Sequence, residues 1–243
     1  TRVIITDNSY RDENIFIELS EYRVNDTTIY VADIVLEDIS CLKTALAHDI
    51  YGKNIKAETS EIEQEHDAIL AVNGDFYGAR NGGYVIRQGV LYRSKGAGNE
   101  DLVIYQDGSF EIIEEDGISA QELLENGAWN VFSFGPALLI NGEIAVTSDE
   151  EVGKAMASNP RTAIGSFEEG HYIMVVSDGR TKESEGLSLR ELAGFMQELG
   201  VETAYNLDGG GSSTMIFMGN VINNPTTGGR RISERSVSDI VYV

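Results

Sequence analysis

Short apolar runs bracketing two-residue turns recur along the chain, and they restrict it to a strand-rich architecture. Tyr84 to Arg87 and Val90 to Arg93 flank Gln88-Gly89. Val103 to Tyr105 and Phe110 to Ile113 flank Asp107-Gly108. Ala137 to Ile140 and Glu143 to Val146 flank Asn141-Gly142, the pair favoured in type I′ turns, and Met215 to Met218 and Val221-Ile222 flank Gly219-Asn220. Arg161 to Ser166 and His171 to Ser177 form a further hairpin across Glu168-Glu169-Gly170. Ile15 to Leu19 and Thr28 to Leu36 read as strands as well.

Helix signals are sparse. Ser40 to His48, a short acidic helix opened by Ser60-Glu61-Ile62-Glu63, Ser119 to Glu125, and 188–199 are the candidates. The last has a Ser188/Glu191 capping box, an apolar stripe of Leu192, Phe195, Met196 and Leu199, and Gly200 as its stop. The expected class is α+β: a mixed, strand-rich sheet with a βαβ unit, several hairpins and few helices. Neither a linker nor a repeat divides the 243 residues, so one domain is expected over 1–243.

Charge narrows the partners. With 18 basic and 40 acidic side chains the net charge is −22, which repels nucleic acid at long range. No apolar run reaches the length of a membrane span. Cys41 is the only cysteine, which rules out an intrachain disulfide and thiol-rich metal sites; its apolar neighbours predict a buried thiol.

Functional signals collect at strand ends. Tyr205-Asn206-Leu207 runs into Asp208, then Gly209, Gly210 and Gly211, then Ser212, Ser213 and Thr214. Glycines leave the backbone approachable, so the loop offers amides and hydroxyls to an anion or a sugar. No lysine ends it and a strand follows it, which argues against a P-loop or a dinucleotide fingerprint. The βαβ reading of 172–207 makes its strands parallel, placing Asp178 and Asp208 at one edge. If Ala68 to Val72 joins the same sheet in parallel, Asn73 and Asp75 arrive there too. Hairpin register sets Arg161 opposite about position 177, beside Asp178, where a guanidinium serves either an anion or an ion pair. Asp-Gly and Asn-Gly are also ordinary turn formers; the shared edge is what favours a site. No His-x-x-x-His spacing supports zinc, whereas the Asp and Asn oxygens suit Ca²⁺ or Mg²⁺.

Taken together, Ala71 to Tyr77, Asn159 to Gly165, Val176 to Arg180, Asp208 to Thr214, and Asn224-Pro225-Thr226-Thr227-Gly228-Gly229-Arg230-Arg231 resemble the phosphodiester glycosidase family, in its order, over roughly 60–243. An acidic residue is usual in that family where Arg230 stands. The resemblance implies a hydrolase that cleaves the anomeric C–O bond of a sugar-1-phosphodiester, acting on a carbohydrate phosphodiester in a bacterial glycan or exopolysaccharide setting. It also implies an exported or cell-surface location, although Thr1-Arg2-Val3-Ile4-Ile5 has no signal-peptide pattern. No cofactor is required by this chemistry, with Ca²⁺ or Mg²⁺ as the option. The implied catalytic carboxylate is Asp208 first, then Asp178, with Asp75 as alternate partner. The implied phosphate ligand is Arg161 first, then Arg180 and Arg231. Asn73, the amides of Gly209, Gly210 and Gly211, Ser212, Ser213, Thr214 and Gly229 complete the substrate contacts. A metal-dependent phosphodiesterase and a non-catalytic glycan-binding module are the alternatives.

Overall fold

The computed structural model describes residues 2–147 and 158–243. Three antiparallel sheets build it, one of nine strands and two of five. In the long sheet, strand Thr27–Leu36 is followed by His171–Ser177, Arg161–Glu168, Thr203–Asn206 and Ala137–Ile140. Side chains alternate across it. Ile164, Met174 and Val176 face a core shared with the other two sheets, including Leu70, Val72, Leu102, Phe132 and Val241. Ala163, Ile173 and Val175 face the opposite way, against Leu192, Ala193 and Met196.

Among the described residues, each α-helix covers the outer side of one sheet. Helix α1 (Thr59–Glu65) sends Ile62 onto Ala45, Ala71 and Ile240. Helix α2 (Ala120–Glu125) sets Leu123 against Ile86 and Val103. Helix α3 (Leu189–Glu198) lies on the long sheet. Its start is as expected: Ser188 accepts from the Glu191 N–H, and Glu191 accepts from the Ser188 N–H. Gly200, at φ +89°, takes the left-handed position that ends the helix. Ser119 caps α2.

The turns at Gln88-Gly89 and Asn141-Gly142 have positive φ at both residues, as type I′ requires. Arg161 pairs with Ser177, the predicted register.

Several expectations change. The ladders are antiparallel throughout the described residues, so the sheets are not mixed. Strands His171–Ser177 and Thr203–Asn206 do run in the same direction, but Arg161–Glu168 lies between them and pairs antiparallel with both. Strand Leu70–Asn73 belongs to a second sheet, between Met215–Phe217 and Asp239–Tyr242. The 40–48 segment is not a helix: Lys43–Leu46 is a strand paired with Asp239–Tyr242, and this tertiary pairing outweighs local propensity. Cys41 is half-buried at the margin of the main core, and burial raises its thiol pKa. The last hairpin turns one residue early, at Met218-Gly219. Ser60 does not cap α1; the Glu234 carboxylate accepts from its N–H (3.0 Å) and from its hydroxyl. No helix among the described residues is long and apolar enough to cross a membrane.

Candidate active site

The site lies where strands of two sheets end together. Strands His171–Ser177 and Thr203–Asn206 deliver their C-terminal ends beside the start of Arg161–Glu168. Asn73, at the end of a strand of the second sheet, joins them through hydrogen bonds. Its Nδ2 donates to the Asp208 carbonyl at 2.6 Å. Its Oδ1 accepts from the Thr162 hydroxyl at 2.8 Å and from the Thr214 N–H at 3.3 Å. The Asp208 N–H donates to the Gly74 carbonyl. A buried polar brace therefore fixes the loop after Asn206.

Within that loop the glycines serve close packing. A Cβ on Gly209 would sit 2.8 Å from the Pro160 carbonyl oxygen, and one on Gly211 would collide with Thr227. The N–H groups of Gly210, Ser212 and Ser213 donate to the carbonyls of Pro160, Gly209 and Gly210. Ser213 shares its hydroxyl with Thr162, and Thr214 donates its own to the Ser212 carbonyl.

Beside the loop lies a cleft of about 280 Å³, whose walls include Arg161, Arg180, Asn206, Asp208, Gly209, Gly210, Phe134 and Arg235. Arg161 is 9% exposed and donates Nε to the Leu187 carbonyl at 2.8 Å. Arg180 donates to the Thr227 carbonyl (2.8 Å) and to Asn159 Oδ1 (3.0 Å). Arg235 donates Nε to Ser212 Oγ (3.1 Å) and Nη2 to the Gly209 carbonyl (3.2 Å). Burial, and then the nearby Arg235 charge, lower the Arg180 pKa. Two guanidiniums close enough to repel form a site that an anion would relieve. Asp208 is 6% exposed, and its pKa is raised by burial, against the opposing pull of Ser212, Arg235, the Gly209 amide and Arg80. Arg80 lies 4.5 Å over the Phe134 ring.

Of the sequence candidates, Asp208, Arg161, Arg180, Gly209 and Gly210 meet in the cleft. The remainder lie outside its lining. Asp178 faces another way: its carboxylate accepts from Asn223 Nδ2 (3.0 Å) and the Asn224 N–H (3.0 Å), and its pKa is raised chiefly by burial. It stitches the 223–224 segment to the strand end. Asp75 is paired with Arg87 at 3.0 Å and accepts from the Ser133 N–H at 3.1 Å, so it anchors the start of the segment carrying Phe134. Asn73, Ser212, Ser213 and Thr214 are fully buried, and their hydroxyl and amide groups hold the loop. Gly211 packs on Thr227, and Gly229 against the Arg180 backbone. Arg231 is exposed, and its carbonyl accepts from Thr226.

Sequence reasoning overlooked Arg235, Asn206, Arg80 and Phe134. Strand alternation could have found Asn206, two residues before Asp208 and so on its face. Nothing in the local pattern around Arg235 marks it. A metal is no better placed. Among the described residues, the cluster of potential ligands within 4.8 Å of one another is His48, Glu61 and Glu65, exposed and apart from the cleft lining. A larger hollow beside α1, about 550 Å³, is lined by Glu61, Glu63 and Asp67 without a cation and does not suit an anion.

A strand-rich fold with one buried carboxylate among guanidiniums defines a class of protein able to work on a charged, oxygen-rich ligand. Comparison makes that class specific. The phosphodiester glycosidase family model matches residues 66–243. The mouse N-acetylglucosamine-1-phosphodiester alpha-N-acetylglucosaminidase is 34% identical over 175 residues, 65% of this chain and 33% of its own length. The SPbeta prophage-derived protein YomE of Bacillus subtilis is 28% identical over 201 residues, 79% of this chain and 30% of its own. The chain thus spans about a third of these relatives. Among solved structures, the zebrafish enzyme's catalytic domain, auto-inhibited by its pro-peptide, superposes with a TM-score of 0.73 at 22% identity, covering 94% of this chain and 82% of that one. A hypothetical protein from Synechocystis gives 0.62 at 16% identity, covering 95% and 62%. The chain belongs to the phosphodiester glycosidase family.

Proposed function

We propose that this chain hydrolyses a sugar-1-phosphodiester at its anomeric C–O bond, releasing the free sugar and a phosphomonoester. The observation that carries this reading is the cleft holding Asp208 beside Arg161, Arg180 and Arg235. Family membership supports it, and the vertebrate relatives are named for an N-acetylglucosamine-1-phosphodiester substrate.

The residues divide the work. Arg180 and Arg235, with Arg161 beside them, hold the phosphate and stabilise the charge it gains as the C1–O bond breaks. A phosphate leaves as a stabilised anion, so an acid to protonate the leaving oxygen is not demanded. Asp208 stabilises the positive charge at C1 or takes a proton from the attacking water, and the water oxygen ends on C1. Asp178 and Asp75 act as positioning residues. The guanidiniums supply the positive charge a metal would otherwise bring, so no cofactor is required and activity should survive chelation of Ca²⁺ or Mg²⁺. A glycan of exopolysaccharide type, met by an exported or cell-surface bacterial protein, is the setting this reading favours, and the B. subtilis relative supports only its bacterial part.

The test is release of free sugar from an α-N-acetylglucosamine 1-phosphodiester by the purified protein and by Asp208→Asn. The variant should fold normally and lose on the order of a thousandfold or more in kcat/KM. Wild-type turnover by folded Asp208→Asn would remove the carboxylate from the reaction. Saturable binding with no product from either protein would favour a glycan-binding module instead.

A further inference from the structure

Two buried oxygens of residues that line the cleft have no hydrogen-bond partner: Asn206 Oδ1 and Asp208 Oδ2. Their residues are 4% and 6% exposed. The amide of Asn206 is held in one orientation, because Nδ2 donates to the Gly135 carbonyl at 3.0 Å and a flip would oppose two oxygens. Oδ1 is therefore the atom left over, and an amide oxygen only accepts. Native proteins rarely keep such atoms unpaired, and a ligand or a water it displaces is the usual partner.

We infer that Asn206, with Asp208, forms a subsite that recognises a hydrogen-bond donor on C2 of the sugar, a hydroxyl or an acetamido N–H. This rests on the reading of the cleft as a sugar-1-phosphate site. Arginines in the same cleft hold the phosphate on C1. The ring neighbours of C1 are the ring oxygen and C2, and only C2 can carry a donor. A cation is excluded as the ligand by Arg161, Arg180 and Arg235 around the same space. Asn206 is then a specificity-determining residue: a sugar lacking the C2 donor leaves its oxygen unpaired, and such sites discriminate strongly.

Calorimetry of the intact protein tests this with three α-sugar phosphates: N-acetylglucosamine 1-phosphate, glucose 1-phosphate, and 2-deoxy-2-fluoroglucose 1-phosphate, which keeps the bulk but has no donor. The better donor-bearing ligand should bind wild type tenfold to a hundredfold tighter than the fluoro sugar, an order set by the cost of an unpaired buried acceptor. In Asn206→Leu that ratio should fall toward one, while inorganic phosphate binds as in wild type. A purely structural role would weaken all three sugars alike and leave the ratio unchanged, which would overturn the inference. Equal affinities in wild type, or no binding of any sugar phosphate, would overturn it without need of the variant. Preserved discrimination in a protein that hydrolyses no phosphodiester would instead overturn the proposed reaction and leave the subsite standing.

Discussion

Asp208 is buried with a cation on one side, and its ionisation should report both facts. Burial raises its pKa above the ordinary carboxylate value, while Arg235 and Arg80 pull it down. If the ionised form works, the acidic limb of kcat/KM should lie above that ordinary value. Arg235→Met removes an opposing cation, so the limb should move to higher pH. A limb that stays put or moves lower would show that Arg235 does not act on Asp208. At this scale the sequence was legible for the loop and partly misleading for its roles. Asn73 and the Ser212-Ser213-Thr214 hydroxyls are polar residues in a motif, which reads as ligand contact. Asn73, Ser213 and Thr214 are instead engaged inside the loop and its brace, and Ser212 Oγ accepts from Arg235, because polar groups at the junction of two sheets must find partners inside the protein. Arg235 escaped notice because its approach to Ser212 is set by tertiary folding.

Local chemistry decided some elements and long-range pairing decided others. The hairpins at Gln88-Gly89 and Asn141-Gly142, the 161–177 register and helix α3 could be read directly, since turn residues and caps act over a few positions. Segment 40–48 could not, because its partner strand lies almost 200 residues away. The parallel βαβ expectation erred in ladder type yet placed both strand ends correctly, since a strand antiparallel to each leaves them aligned. Helix α3 offers a quantitative check. Ser188→Ala should cost about 1 kcal/mol by removing the cap. Met196→Ala, fully buried against the long sheet, should cost about 2–5 kcal/mol. Chemical denaturation of both variants measures the difference, and equal losses would contradict the packing described for this helix.

Across the molecule, acidity is distributed so that the fold favours low pH. Asp239 is fully buried beside Arg87 and Asp75, and burial first, then repulsion from Asp75, push its carboxyl up to about 7 against the Arg87 charge. Asp101, buried beside Glu115, is pushed up to about 11, again chiefly by burial. Asp178 and Asp208 shift in the same direction. A carboxyl whose folded pKa is raised binds its proton more tightly in the native state. Its stabilising contribution is complete below the unfolded value and is lost as pH rises through the folded one. For Asp239 that window runs from the ordinary carboxylate range to about 7. The lowered Glu115 opposes the trend, but the raised groups outnumber it among the buried carboxyls. The melting temperature should therefore be higher at about pH 5 than at about pH 8.5. The reverse order would contradict the assignment of these buried carboxyls. The net charge of −22 acts in the same direction, because self-repulsion grows as carboxyls ionise. Against that acidic background, three arginines line one cleft, as the proposed anionic substrate requires.

Which bond breaks is the question on which this chemistry turns, and isotope tracing answers it. Hydrolysis of an α-N-acetylglucosamine 1-phosphodiester in ¹⁸O-water should place the label on C1 of the released sugar and leave the phosphomonoester unlabelled. Label in the phosphate would mean that water attacks phosphorus, contradicting cleavage at the anomeric carbon.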